Sequence, residues 1–489
     1  MNSIKKIKLT SFIFLILFFL SCGGSVKPED ISLTIPEDTR HERVGTFPAE
    51  NYGYIIYDIS ENKVVKAHNS KKVFIPASVT KIFTALYALE NYKSGDSYST
   101  LISYSGNISQ GVLKGNIYLK GSGDPELSIT HLVDIAKEIK AVGITAVEGS
   151  FIFDESLFPK KEMIDGNMSP EARYNTGLSA LTLNNNSVYS AQIKNSEGLI
   201  TGYSLIPSIE VNRASTYSGK PSAPLIRYNS SSGIETWSFP DRRAIPRYQL
   251  PVKDPAPFTA WTLKLICSIH GITLPSPEPG IKPAETKEIY THKSNNIPVI
   301  IKNMLHSSNN TTAELAAITS IIKETGEHSD SMEPIELFFK KKFTGISWDG
   351  LSISNGSGLS PDGRISPEQT AALLIYADRK NLHGMELDYY LPMSGWEGTM
   401  MQRLDTSEAA FRVYGKTGSI FYASALSGFF YSNSGKKYIF SIFISDINRR
   451  IEHDNNKKKN PSDAAEAVAW SKRAANAIDE FIIRQIKEL

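Results

Sequence analysis

The sequence predicts an α/β protein whose principal domain is interrupted by a large β-rich insertion, and three observations predict it. Near the N-terminus, Tyr54 to Ile59 and Lys63 to His68 read as a hairpin turning through Ser60-Glu61-Asn62. An amphipathic helix follows directly, with Val79, Ile82, Phe83, Leu86 and Leu89 at helical spacing over Ser78 to Tyr92. Strands and a helix return only at the far end of the chain, where Arg412 to Tyr414, Ala423 to Tyr431 and Lys437 to Ile444 precede an amphipathic segment from Pro461 to Leu489.

Between these ends the periodicity changes. From about Leu101 to Glu285, short strand-like runs such as Gly115 to Leu119, Ile152-Phe153, Ala191 to Ile193 and Leu205 to Val211 alternate with Gly, Pro, Ser and Asn clusters. Helical spacing resumes over Val299 to Leu305 and Thr312 to Thr325. The expected organisation is therefore a principal α/β domain from 51–100 and 286–489, with 101–285 inserted as two nested subdomains. Residues 23–50 read as a polar linker carrying Pro28, Pro36 and Pro48, and the Asn455 to Asn460 run as a solvated loop around Lys457 to Lys459.

Lys5, Lys6 and Lys8, the apolar run Ser11 to Leu20, and Ser21-Cys22-Gly23-Gly24 have the order of charge, apolar length and small residues of a secretory signal. The apolar run is too short to span a bilayer. Leu20-Ser21-Cys22 resembles the lipobox of bacterial lipoproteins, which implies cleavage before Cys22, lipidation of its thiol, and a mature protein anchored to a bacterial membrane on its periplasmic or exterior side. Residues 1–22 are then the signal peptide. Cys267, in the apolar run Ala260 to Cys267, is left without a partner and is expected to be a buried free thiol.

Composition excludes some partners. The chain has 53 Lys plus Arg against 51 Asp plus Glu, a formal charge of +2, so it lacks the basic excess that nucleic-acid binding draws on. Its nine histidines are scattered, with no His-Glu-x-x-His or Cys-x-x-Cys spacing, and neither a metal nor a cofactor is expected.

The chemistry concentrates in three short motifs. A serine hydroxyl needs a base, and lysine serves once its ammonium is desolvated or crowded by other cations. In Ser78-Val79-Thr80-Lys81 the helical i, i+3 spacing brings Ser78 and Lys81 to one face at a helix start. The bare pattern is common, and Ser3-Ile4-Lys5-Lys6 matches it inside the signal segment. Lys416-Thr417-Gly418-Ser419 lies between an apparent strand and the strand from Ala423; it offers a cation, two hydroxyls suited to a carboxylate, and a glycine that admits close backbone approach. Lys93-Ser94-Gly95 shares the looser pattern but sits in a polar turn. A Ser-x-Asn motif has five candidates by spacing alone: Ser60 with Asn62, Ser105 with Asn107, Ser294 with Asn296, Ser307 with Asn309, and Ser308 with Asn310.

Ser-x-x-Lys, Ser-x-Asn and Lys-Thr-Gly in this order resemble the signature of penicillin-recognising serine enzymes. Within them the chain is similar to the D-alanyl-D-alanine carboxypeptidase/endopeptidase family, the class C low-molecular-mass penicillin-binding proteins, which carry a large insertion after the first motif. Further stretches carry the likeness: Gly121 to Leu127, Ser179 to Asn186, Asn355-Gly356-Ser357-Gly358-Leu359-Ser360 with Asn in place of the family's Asp, and Leu391 to Met400 with Arg403. The family follows its second motif with Ala and an acidic residue three and four positions after the Asn. Ala313 and Glu314 therefore select Ser308 and Asn310, with Asn309 in the family's Asp position. The segment from Phe158 to Asn175 departs from the family pattern, and no substrate contact is carried over there.

The resemblance implies a transpeptidase-like antiparallel sheet flanked by helices, as in serine β-lactamases. It implies that Ser78 is acylated by peptidoglycan stem peptides, with Lys81 as base and Ser308, Asn310 and Lys416 completing the catalytic set. Thr417, Gly418 and Ser419 would bind the substrate, and β-lactams would inhibit covalently. The implied activity is a serine-type D-Ala-D-Ala carboxypeptidase, a D,D-endopeptidase, or both. A β-lactamase and a catalytically weak, lipid-tethered sensor or wall-binding protein are the competing readings.

Overall fold

The computed structural model describes residues 29–36, 41–194, 200–203, 209–214, 227–231, 234–240, 247–456 and 461–489. The signal segment with Cys22, the Lys457 to Lys459 run, and residues 205–208 of one expected strand lie outside the described residues.

The N-terminal hairpin and the three C-terminal strands combine into one five-stranded antiparallel sheet. Its order is Val413–Ile420, Ala423–Tyr431, Lys437–Ser445, Tyr52–Asp58 and Lys63–His68. Side chains alternate across a strand, so a sheet covered on both faces needs apolar residues at every position. Tyr52–Asp58 is buried throughout and, apart from Gly53 and the Asp58 that ends it, carries Tyr and Ile side chains at every position. Tyr54 and Ile56 face a core built with Trp470, Ile478, Phe481 and Ile482 of the C-terminal helix Pro461–Glu488. Ile55 and Tyr57 face the opposite core, which contains Phe83 and Leu86 of helix Thr80–Asn91 and Leu373 and Tyr376 of helix Pro367–Arg379.

The insertion has its own core and sheet. Pro277–Pro279, Phe151–Asp154, Ile117–Gly121, Ser97–Tyr104 and Lys287–Asn296 form a mixed five-stranded sheet, accompanied by three smaller three-stranded sheets. Two expectations change here. The insertion also contains helices Ile129–Ala141 and Pro255–Ile269, whose Leu132, Ile135, Ile139, Leu263 and Ile266 pack into one core. Its limits widen from 101–285 to 97–296, because its entering and leaving strands pair with each other. The leaving strand is an edge strand of mostly polar residues and so carries little apolar alternation.

Within the segment read as a linker, the described residues 29–36 and 41–50 are packed instead. Glu29 bonds the Lys342 carbonyl, and Ile31 and Leu33 join the catalytic core while Val44 joins the core under the C-terminal helix. The alternation of Ile31, Leu33 and Ile35 among the polar residues is the local cause. Cys267 is a buried free thiol, and burial pushes its pKa up to about 12. Among the described residues no helix is long and apolar enough to cross a membrane.

Candidate active site

Ser78 lies in the single 3₁₀ turn Ala77–Val79 that leads into helix Thr80–Asn91. The residue before it, Ala77, is held at φ 45°, a left-handed conformation that costs energy for a side chain with a Cβ. Gly358 buttresses that turn: at φ 71°, a Cβ added to it would fall 1.9 Å from the Ala77 carbonyl oxygen. From the other side comes the edge strand Val413–Ile420, where a Cβ on Gly418 would meet the Pro76 carbonyl oxygen at 2.5 Å. The third motif therefore sits inside this strand, not between two strands as its sequence suggests, and its glycine lets the strand close on the turn that carries Ser78.

Lys81 is fully buried one helical turn after Ser78. Its Nζ lies 3.0 Å from Ser78 Oγ, 2.8 Å from Asn310 Oδ1 and 2.7 Å from the Ser357 carbonyl oxygen. Of these three neighbours only the Ser78 hydroxyl can also donate. A neutral Lys81 spends its two hydrogens on Asn310 and Ser357 and turns its lone pair to the hydroxyl of Ser78. Burial brings the Lys81 pKa down to about 7, against the opposing pull of Glu314. Roughly half of it is neutral at pH 7, where an ordinary lysine is almost wholly charged.

Lys416 is also fully buried, donating to the Thr417 carbonyl at 2.8 Å. Burial, and then the charge of Lys81, hold its pKa well below the usual lysine range. Two buried ammonium groups that repel one another favour a state in which one carries a proton and the other serves as base.

The second motif lies where two helices meet. Ser308 ends helix Ile297–Ser307 in the left-handed conformation, with φ 55°, and helix Asn310–Thr325 begins two residues later. Asn309 caps that helix, accepting from the Thr312 N–H at 2.9 Å, an acceptor role that Asn fills as well as Asp. Ser307 Oγ donates back to the Asn303 carbonyl. Asn310 alone of these residues reaches Lys81, and its Nδ2 donates to the Tyr174 carbonyl at 3.2 Å. The other Ser-x-Asn candidates lie in the Ser60 turn and in the insertion, and Lys93 lies in the turn closed by Asp96.

Sequence reasoning missed several participants. Glu314, used only to set the motif's register, is a buried carboxylate that accepts from the N–H groups of Gly356 at 3.0 Å and Ser357 at 2.7 Å. Burial raises its pKa. Met168 and Tyr174, from the stretch without family likeness, line a cleft of about 470 Å³ together with Ser78, Asn310, Ser419 and Arg450. The likeness itself gave no handle on either residue. Arg403 grips Asp479 of the C-terminal helix through two bonds of 2.6 and 2.7 Å. No group of three His, Cys, Asp or Glu among the described residues could hold a metal ion.

Nucleophile, buried amine, amide and a second buried amine on a cleft-side strand together suit acyl transfer through a serine ester. Comparison with known proteins agrees. The model of the D-Ala-D-Ala carboxypeptidase 3 (S13) family matches residues 38–469. The chain is 24% identical over 459 residues to the D-alanyl-D-alanine carboxypeptidase DacB of Haemophilus influenzae, covering 89% of this chain and 92% of that protein. It is 25% identical over 411 residues to a D-alanyl-D-alanine carboxypeptidase of Actinomadura sp. strain R39, covering 77% and 74%. The crystal structure of penicillin binding protein 4 (dacB) from Haemophilus influenzae shares the fold with a TM-score of 0.73 at 22% identity, over 88% of this chain and 96% of that one.

Proposed function

Because the chain belongs to the D-Ala-D-Ala carboxypeptidase 3 (S13) family, we propose that Ser78 opens the amide bond between two D-alanine residues of peptidoglycan stem peptides through an acyl-enzyme. The observation that carries this reading is the Lys81 amine, buried and held by two obligate acceptors with Ser78 as its third neighbour.

The Ser78 proton passes to Lys81 as Oγ attacks the carbonyl of the penultimate residue. Backbone N–H groups of Ser78 and Ser419 stabilise the oxyanion, where fixed donors act most strongly. The C–N bond then breaks, and Ser308, under the field of Lys416, hands a proton to the leaving amine. Asn310 keeps Lys81 aimed and holds the substrate amide. Thr417 and Ser419 receive the terminal carboxylate, with Gly418 keeping their strand close. Water releases the acyl group and regenerates Ser78. A β-lactam follows the same first step and remains on the serine. Purified protein tests this: fluorescent penicillin should label it and D-alanine should appear from a pentapeptide. Rapid β-lactam hydrolysis without D-alanine release would refute it.

The same reading places the enzyme outside the cytoplasm, tethered through lipid on Cys22, which the signal-like segment and Leu20-Ser21-Cys22 support. Cells fed a tagged fatty acid should label the wild type and not a Cys22→Ala variant; equal labelling of both would reject the anchor.

A further inference from the structure

We propose that His306 is a positioning residue for the second motif: met at its side chain by Glu397 and at its backbone by Gly398, it fixes the turn that carries Ser308 against the strand that carries Lys416. The inference rests on the acyl-transfer reading above, in which Ser308 hands a proton to the leaving amine under the field of Lys416. It names the residues that hold those two groups in register.

The N–H groups of Ser308 and Asn309 both bond back to the Met304 carbonyl, so the place of the Ser308 hydroxyl follows the end of helix Ile297–Ser307. His306 lies in the last turn of that helix. Gly398 is pressed against it: at φ 55°, a Cβ added there would fall 2.4 Å from the His306 carbonyl oxygen. Beside this contact, Glu397 Oε2 stands 3.6 Å from His306 Nδ1. Burial lowers the His306 pKa against the pull of Glu397, so at pH 7 the ring is neutral and its one N–H points from Nδ1 toward the carboxylate. Nε2 is then a bare lone pair, and it is buried with no hydrogen-bond partner among the described residues. Such a nitrogen costs about 1–3 kcal/mol, which an apolar side chain of similar size would avoid, so packing alone does not call for histidine here. Lys302, the cation one turn earlier in the helix, lies over the Tyr389 ring at 3.7 Å.

Glu397 and Gly398 close a segment that is bonded to the third-motif strand. Ser394 N–H donates to the Val413 carbonyl at 2.8 Å, Val413 N–H donates to Ser394 Oγ at 3.1 Å, and Gly415 N–H donates to the Pro392 carbonyl at 3.1 Å. Lys416 is the next residue of that strand. Ser308 comes from a helix end and Lys416 from a sheet edge, and this bridge through His306, Glu397 with Gly398, and Ser394 sets one against the other. Loosening it leaves Ser78 and Lys81 in place, because their partners Asn310 and Ser357 lie outside the bridge. The step it serves is therefore proton delivery to the leaving group, not activation of the serine.

The test uses full-length protein and two substrates with the same acyl part and terminal carboxylate: an amide pentapeptide, and a thioester analogue in which sulfur replaces the leaving nitrogen. A thiolate departs without a proton and an amine does not, so a loss of proton delivery shows on the amide alone. Proton transfer from a positioned group is worth about 10²–10⁴ in rate. At a pH where Lys81 is neutral, His306→Ala and Glu397→Ala, the second at a partly exposed side chain whose loss does not threaten folding, should each lower kcat/KM on the amide by about tenfold and on the thioester by less than about twofold. The double variant should be no worse than His306→Ala alone, and His306→Asn, which keeps an N–H near the Nδ1 position, should recover most of the amide activity. Equal losses on both substrates in both variants, or no loss on the amide, would overturn the assignment. Ser308→Ala separates it from the reading beneath. Equal losses on both substrates in that variant would show that Ser308 is not the proton donor, whereas a Ser308→Ala loss confined to the amide, with the His306 and Glu397 variants unaffected, would refute the positioning role alone.

Discussion

Glu314 acts on Lys81 through a single residue. Its carboxylate accepts the Ser357 N–H at 2.7 Å, and the carbonyl of that same Ser357 accepts from Lys81 Nζ at 2.7 Å. Helix Asn310–Thr325 thus holds the Lys81 amine at two points, directly through Asn310 and indirectly through Glu314 one turn later. A buried carboxylate so placed also raises the Lys81 pKa, partly offsetting the effect of burial.

Replacing that carboxylate by an amide separates the two effects. Glu314→Gln keeps an acceptor for one of the two N–H groups but removes the charge that favours protonated Lys81. The pH at which penicillin acylation reaches half its plateau should move to lower values, while the plateau rate itself falls because the Ser357 carbonyl is less firmly held. Stopped-flow acylation across pH checks both. A purely structural role for Glu314 would lower the rate without moving the midpoint.

For the wild-type protein the sign is fixed by the depressed lysine. In the proposed role of base, Lys81 must be neutral to accept the Ser78 proton, and its pKa stands at about 7 instead of 10.5. Acylation should therefore rise about tenfold per pH unit below neutrality and level off above it. An ascending limb centred near the ordinary lysine value would show that the base is solvated and that the site opens before reaction.

Adjacent asparagines should behave oppositely. Asn309 caps helix Asn310–Thr325, so Asn309→Ala should cost about 1 kcal/mol of stability and leave acylation within a few-fold of wild type. Asn310→Ala removes one of the two obligate acceptors of Lys81 and should slow acylation by about 10²–10³ with the melting temperature nearly unchanged. Thermal melts run beside penicillin-labelling rates distinguish the two.

Much of this was legible because it is local. The Ser78–Lys81 pair follows from helical spacing, and the strands Ala423–Tyr431 and Lys437–Ser445 and the closing helix from apolar period. What escaped depends on contacts between distant segments. Nothing near Glu314 in sequence announces that its partners are the N–H groups of Gly356 and Ser357. Lys416-Thr417-Gly418 read as a segment between two strands because glycine and lysine are weak strand formers, yet pairing with Ala423–Tyr431 carries the strand through Ile420. Met168 and Tyr174 reach the cleft from a stretch whose residues have no periodicity to read.

The last prediction concerns the backbone that shapes the nucleophile. Gly358 stands at φ 71° with no room for a side chain, since a Cβ would fall 1.9 Å from the Ala77 carbonyl and 2.6 Å from Thr80 Oγ1. Gly358→Ala must therefore displace either the 355–360 loop or the turn that carries Ser78. The first loosens the Ser357 carbonyl from Lys81, and the second moves Ser78 Oγ away from its base, so penicillin acylation should fall by more than about 10² in either case. Gly384, at φ 84° with nothing near its would-be Cβ, is the control: Gly384→Ala carries similar backbone strain and should cost about 1 kcal/mol of stability with labelling intact. Equal labelling rates in the two variants would show that the Gly358 turn has no part in positioning the nucleophile.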